Sequence, residues 1–294
     1  MDGIFNIYKS TGMTSHDVVA KMRKLLQQRR VGHAGTLDPA ASGVLPICVG
    51  LATRVAEYLS ESGKAYQATI IFGVETDTYD AEGEITRTAP TDHLRREDIE
   101  RALVQFRGRQ MQVPPRYSAI KLQGQAAYKR TRAGEEVVLA PRPIEITRLE
   151  IVHWQNPQLI LDVECSKGTY IRSLAYDLGR TLGCGAHLAS LVRTRSGPFP
   201  LEESVTLEEL ARAGEQGTLA AYAQSADRAL EQYPALHLDD ESATRVKHGN
   251  LFAYEIPQKE RSLARVYSPA GEFIAIAEWR PESGKWQPKK VFTE

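Results

Sequence analysis

Fourteen consecutive residues, Gly32-His33-Ala34-Gly35-Thr36-Leu37-Asp38-Pro39-Ala40-Ala41-Ser42-Gly43-Val44-Leu45, limit most sharply what this chain can fold into. Three glycines permit tight turns and the close approach of another backbone. Asp38 is the single carboxylate of the segment, and Pro39 after it steers it out of helical geometry into an extended or turn conformation. The residues therefore place Asp38 on a loop. A loop carboxylate can serve merely to form a turn or cap a helix; the alternative is a chemical group held in the open by its surroundings.

Regular elements are predicted on both sides of this loop. Val18, Val19, Met22, Leu25 and Leu26 repeat at helical spacing behind the capping candidates Thr14 and Ser15, with Lys21, Arg23, Lys24, Arg29 and Arg30 on the other face. Tyr66, Ala68, Ile70 and Phe72 alternate, as do Leu159, Leu161, Val163 and Cys165, which predicts two half-buried strands. Helices are predicted over 97–107, stopping at Gly108, and over 171–182, stopping at Gly183. Thr206 and Glu209 form a capping box ahead of a helix from Leu207 to Ala213. This mixed order of strands and helices predicts an α+β fold.

Residues 113–143 carry prolines at both ends and basic and aromatic residues between, the composition of a projecting insertion. Beyond Tyr233-Pro234 the pattern turns to short strands around Ser268-Pro269-Ala270-Gly271, so a second, β-rich domain over 233–294 is expected after a first over 1–232. No apolar run approaches the ~20 residues of a membrane helix, and the start lacks a basic stretch ahead of an apolar core. A cytoplasmic protein is expected. Cys48, Cys165 and Cys184 form no C-x-x-C pair, so neither a disulfide framework nor a zinc cluster is supported.

Thirty-seven basic residues balance thirty-seven acidic ones, which at first argues against a nucleic-acid partner. The distribution reverses that impression. Lys and Arg outnumber Asp and Glu 7 to 4 over 1–60, 9 to 4 over 105–150 and 5 to 1 over 165–200, while acid outnumbers base 9 to 3 over 75–100 and 10 to 3 over 201–245. Three basic blocks fit RNA as well as they fit solvated faces.

The Asp38 segment closely resembles the signature of TruB-type pseudouridine synthases, bacterial tRNA-modifying enzymes in which the aspartate of G-T-L-D-P is catalytic. Further motifs agree in order: Lys9 with Gly12-Met13-Thr14-Ser15, Lys64-Ala65-Tyr66, Lys167-Gly168-Thr169-Tyr170-Ile171-Arg172, and Gly185-Ala186-His187-Leu188 with Leu191. Ser10 stands where the family usually has proline, a change that touches backbone rigidity alone. The resemblance covers about residues 3–200, and more loosely the end of the chain, where Lys247-His248-Gly249 and 273–279 look like a small PUA-type RNA-binding domain.

The resemblance implies a mixed, mainly antiparallel sheet and isomerisation of the T-loop uridine at tRNA position 55 to pseudouridine, with no cofactor and no obligate protein partner. Asp38, Tyr66 and Arg172 are then the catalytic residues, Arg172 keeping the carboxylate ionised. Leu191 and Tyr170 line the same pocket. A stacked uridine must be extruded to be remodelled, and His33 is the candidate to take its place. Lys9, Arg116, Lys121, Lys129, Arg130 and Arg132 are expected to meet phosphates, with Tyr117 and Tyr128 interleaved for stacking.

Three rival functions meet the same residues. A guide-RNA-dependent relative should carry long basic tails, absent here, and a non-catalytic RNA-binding protein has no need of Asp38, Tyr66 and Arg172 together. A glycoside hydrolase requires a second carboxylate beside Asp38, and the sequence offers no convincing one.

Overall fold

The computed structural model describes residues 1–118, 120–122, 125–133, 135, 137–256 and 262–292. Strands up to the second domain are β1 (Gly3–Lys9), β2 (Val31–His33), β3 (Ser42–Val49), β4 (Lys64–Phe72), β5 (Val74–Thr76), β6 (Ile85–Thr88), β7 (Gly108–Gln112), β8 (Lys121–Leu122), β9 (Gln125–Ala126), β10 (Arg142–Gln155), β11 (Gln158–Cys165), β12 (Ala186–Ser196) and β13 (Phe199–Pro200). Helices α1 (Ser15–Leu26), α2 (Ala56–Glu61), α3 (Arg96–Val104), α4 (Ala127–Arg132), α5 (Ile171–Thr181) and α6 (Leu207–Glu215) accompany them. The main sheet runs β1-β3-β12-β4-β11-β10-β7, with β2 on β3 and β13 on β12. Every junction is antiparallel except β12 with β3. The expected α+β fold with a mainly antiparallel sheet is the one observed.

Ala68, Ile70 and Phe72 of β4 turn one face to α3 and α5, building the largest core with Leu159, Leu161, Val163, Leu174 and Leu178. β1 and β3 are covered on both sides. Phe5, Ile7, Leu45 and Ile47 face α1 and α6, while Ile4, Val44 and Cys48 face α2 and its surroundings. β3, buried at every position, carries no polar alternation to mark it as a strand. The last four residues of the glycine-rich segment, Ser42 to Leu45, are thus strand and not loop.

Thr14 caps α1 in a reciprocal box with Asp17. Ser15, the other capping candidate, is buried and serves the Asp38 loop instead. The helix predicted to reach residue 107 ends at Val104, and Gly108, at φ +81°, opens β7. Between β7 and β10 the expected insertion holds the β8–β9 hairpin, α4 and a small apolar cluster of Ala127, Val137 and Leu139.

Beyond Ala235 a second sheet, β14 (Ala235–His237), β15 (Leu263–Tyr267), β16 (Phe273–Arg280) and β17 (Lys285–Val291), packs with helix α7 (Asp240–Lys247) around Trp286. It is joined to the main body by Ile276, which enters the core of Ile4 and Val44, and by the Tyr267 hydroxyl, which donates to Asp227 at 2.6 Å. All three cysteines are free and buried. No helix among the described residues is long and apolar enough to cross a membrane.

Candidate active site

Both flanks of Asp38 are tied down. Leu37 is buried in the α1 core, where the Ser15 hydroxyl bridges its backbone, accepting from its N–H at 2.9 Å and donating to its carbonyl at 3.1 Å. On the other side the Pro39 carbonyl accepts from the Gly12 N–H at 2.9 Å and from Lys9 Nζ at 3.3 Å. With its neighbours anchored, Asp38 presents a side chain that is 51% exposed. The structure thus holds the loop carboxylate in the open.

Arg172, in the first turn of α5, reaches this carboxylate with Nη2 at 2.9 Å, although the two are remote in sequence. Its guanidinium is almost fully buried and serves four acceptors on three segments: Asp38, Asp80 at 3.3 Å with the Thr78 carbonyl of the same loop at 3.4 Å, and the Tyr117 carbonyl at 2.9 Å. A planar fork with five N–H donors suits such convergence, and a lysine could not match it.

Tyr66 lies at the start of β4, paired in register with Arg193 of β12. Burial pushes its phenol above the ordinary tyrosine value, and the neighbouring Arg193 guanidinium opposes that shift. Two residues along each strand, Leu191 pairs with Ala68 and packs between the two large cores. Tyr170 caps α5, its backbone N–H and carbonyl both clasped by the Gln112 amide at 2.8 and 3.0 Å, and burial raises its phenol as well. His33 stands at the end of β2, edge-on to His16 at 5.3 Å between ring centres. Burial, and then the adjacent His16, lower its pKa. Its Nδ1 is enclosed without a hydrogen-bond partner among the described residues.

One expectation needs correction. Lys9, expected on a phosphate, is completely buried, and its ammonium donates to the carbonyls of Ser10, Met13 and Pro39. Burial lowers its pKa to about 8. A lysine whose three protons all meet backbone carbonyls is a strut for the Asp38 loop. In the insertion Arg116 is exposed, and Arg130 forms an ion pair with Glu135 at 2.6 Å. The side chains of Lys121, Tyr128, Lys129 and Arg132 lie outside the described residues.

Comparison with known proteins matches this geometry to one family. Residues 23–171 fit the model of the TruB family pseudouridylate synthase N-terminal domain, 172–231 that of the tRNA pseudouridylate synthase B C-terminal domain, and 234–292 that of the pseudouridine synthase II TruB C-terminal region. The chain belongs to the TruB family of pseudouridylate synthases. Over 293 residues it is 46% identical to tRNA pseudouridine synthase B of Dehalococcoides mccartyi strain BAV1, covering 99% of this chain and 97% of that protein. The Bacillus subtilis enzyme of the same name is 40% identical, covering 100% of this chain and 98% of the relative. Among solved structures, a chain of a Cbf5–Nop10–Gar1 complex superposes with a TM-score of 0.79 at 29% identity, covering 99% of this chain and 85% of that one.

Two residues of this TruB-family site escaped the sequence reading. Asp80 is the second carboxylate that seemed to be missing beside Asp38. It is unsuited to a hydrolase's general acid, because Oδ2 accepts from Arg172 while Oδ1 accepts from the Thr78 hydroxyl and the Glu82 N–H. Its signal was the turn-rich run Thr76-Asp77-Thr78-Tyr79-Asp80, which reads equally well as a solvated loop. Arg193 is the other, a basic residue inside an apparently exposed basic block that proves to be 1% exposed.

Proposed function

We propose that this protein isomerises a uridine of tRNA to pseudouridine, at position 55 in the T-loop, using Asp38 as the carboxylate that meets C1′. The reaction breaks the N-glycosidic bond, turns the uracil and rejoins it to the same ribose carbon through C5. Nothing is oxidised and no group leaves, so the chain's own residues suffice. The observation that carries the reading is the open Asp38 carboxylate locked by the buried Arg172 guanidinium at 2.9 Å. Such a carboxylate can attack or stabilise an electron-poor C1′, as nucleophilic carboxylates do in glycoside chemistry.

Tyr66 and Leu191 form the wall against which the extruded base packs, with Tyr170 beside them. His33, lowered in pKa by burial and carrying a free ring nitrogen, is suited to replace the base in the loop. Relatives named for tRNA match at full length with more than 40% identity, which favours an enzyme acting in the cytoplasm without a guide-RNA particle or obligate protein partner.

The test is pseudouridine mapping on unmodified tRNA transcripts incubated with the purified protein. Modification confined to uridine 55 is expected; an unmodified transcript overturns the activity, and modification elsewhere overturns the position. Arg116, the exposed arginine at the base of the insertion, is read as a phosphate contact. Arg116→Ala should flatten the slope of log affinity against log salt by about 0.9 if the backbone there is duplex-like. It should leave the single-turnover rate at saturation within about threefold. An unchanged slope in a salt titration removes Arg116 from the interface.

A further inference from the structure

Arg193 is a buried cation that meets no carboxylate among the described residues. The influences on its guanidinium are burial, which lowers its pKa, and Tyr66, which raises it. An unpaired charge in a core is costly, and an apolar residue of similar volume would fill the space more cheaply. What the guanidinium does there is join three segments. Nε donates to the Val44 carbonyl of β3 at 2.7 Å, Nη1 to the Thr36 carbonyl at 3.3 Å, and Nη2 to the Gly35 carbonyl at 3.0 Å. Tyr66 on β4 is the register partner of Arg193, and the guanidinium's charge acts on its phenol.

The base of this side chain is equally constrained. Arg193 lies where β12 makes its short parallel contact with β3, opposite Gly43 on one side and Tyr66 on the other. A Cβ on Gly43, which has φ +102°, would stand 2.3 Å from the Arg193 carbonyl oxygen, so the two backbones touch. Neither strand can slide without breaking that contact.

We infer that Arg193 is a positioning residue for the isomerisation, setting the Tyr66 hydroxyl and the backbone leading into Asp38 in one fixed arrangement. The inference rests on the function proposed above. Facing Tyr66 across the β4–β12 pair, the guanidinium sets a fixed positive charge beside the phenol, opposing the upward push of burial on its O–H. By holding Gly35 and Thr36, it sets the loop three and two residues ahead of Asp38. Lys64 secures the start of β4 from below, donating to the carbonyls of Leu59, Ser60 and Ser62.

The test compares wild type, Arg193→Gln and Arg193→Lys in three measurements: tRNA affinity, single-turnover rate at saturating tRNA, and titration of a fluorinated tyrosine at position 66 by fluorine NMR. Arg193→Gln removes the cation. The phenol midpoint should rise by about one unit or more and the rate fall by roughly a hundredfold, with affinity within about threefold. Arg193→Lys keeps the charge and loses the fork, so the midpoint should stay within about half a unit of wild type while the rate falls roughly tenfold. A purely structural strut would leave the phenol midpoint in place. A midpoint unmoved by Arg193→Gln, or a rate within about threefold of wild type in either folded variant, overturns the inference. Should the glutamine variant not fold, the rate of the lysine variant decides. Wild-type protein that makes no pseudouridine overturns the proposed function itself, a result distinct from any difference among the variants.

Discussion

Asp38→Asn forms no pseudouridine under conditions in which the wild type runs to completion, a loss of about four orders of magnitude or more in single-turnover rate. It binds tRNA within about threefold of wild type, because few RNA contacts depend on one side chain in the chemical step. The geometry makes this separation testable. The backbone on either side of Asp38 is held by Ser15, Gly12, Lys9 and Arg193, none of which touches the carboxylate oxygens by hydrogen bond. An amide of the same shape leaves that scaffold standing and can still accept from Arg172. It cannot provide the negative charge that an electron-poor C1′ demands. Measurable product from the asparagine variant, in an assay with matched RNA binding, would remove Asp38 from the reaction.

Arg172→Ala is expected to damage both rate and stability. It strips the shared cation from Asp38 and Asp80 and leaves the Thr78 and Tyr117 carbonyls without a donor. The rate should fall by roughly a hundred- to a thousandfold, with a stability loss of about 3 kcal/mol. That figure is the lower end for a broken buried pair, since Asp38 can turn to water while Asp80, at 15% exposure, cannot. Arg172→Lys should recover part of the stability and a smaller part of the rate, because a point charge cannot face four acceptors spread over three segments at once. Single-turnover kinetics alongside thermal melting reads both effects. Wild-type rate in the alanine variant would show that the pairing has no part in the chemistry.

Neither expectation could have been sized from the sequence. The motif resemblance led to Asp38, Tyr66 and Arg172 as a set, and the glycines and Pro39 placed Asp38 on a loop through local sterics alone. Composition suggested RNA-facing charge wherever lysines and arginines gathered, but it could not tell a buried cation from an exposed one. Lys9 and Arg193 are buried struts, whereas Arg130 pairs with Glu135 at the surface and Arg116 is exposed. A basic residue's neighbours in the chain say little about whether its terminal atoms end in water or among carbonyls.

What the sequence determined by itself was local. The α1 stripe of Val18, Val19 and Met22, the β4 alternation, the α5 stripe ending near Gly183 and the Thr206–Glu209 box all appear in the folded chain. Each depends on sterics, periodicity or bonds between residues a few positions apart. The tertiary structure alone decided which distant groups meet. Asp80 reaches Arg172 across 92 positions and Arg193 reaches Gly35 across 158. Those meetings follow from strand order, from the one parallel junction of the main sheet and from the close contact at Gly43. Such contacts are set by global packing, which brings polar groups into a dry interior and obliges each to find a partner. No local window of residues contains that requirement.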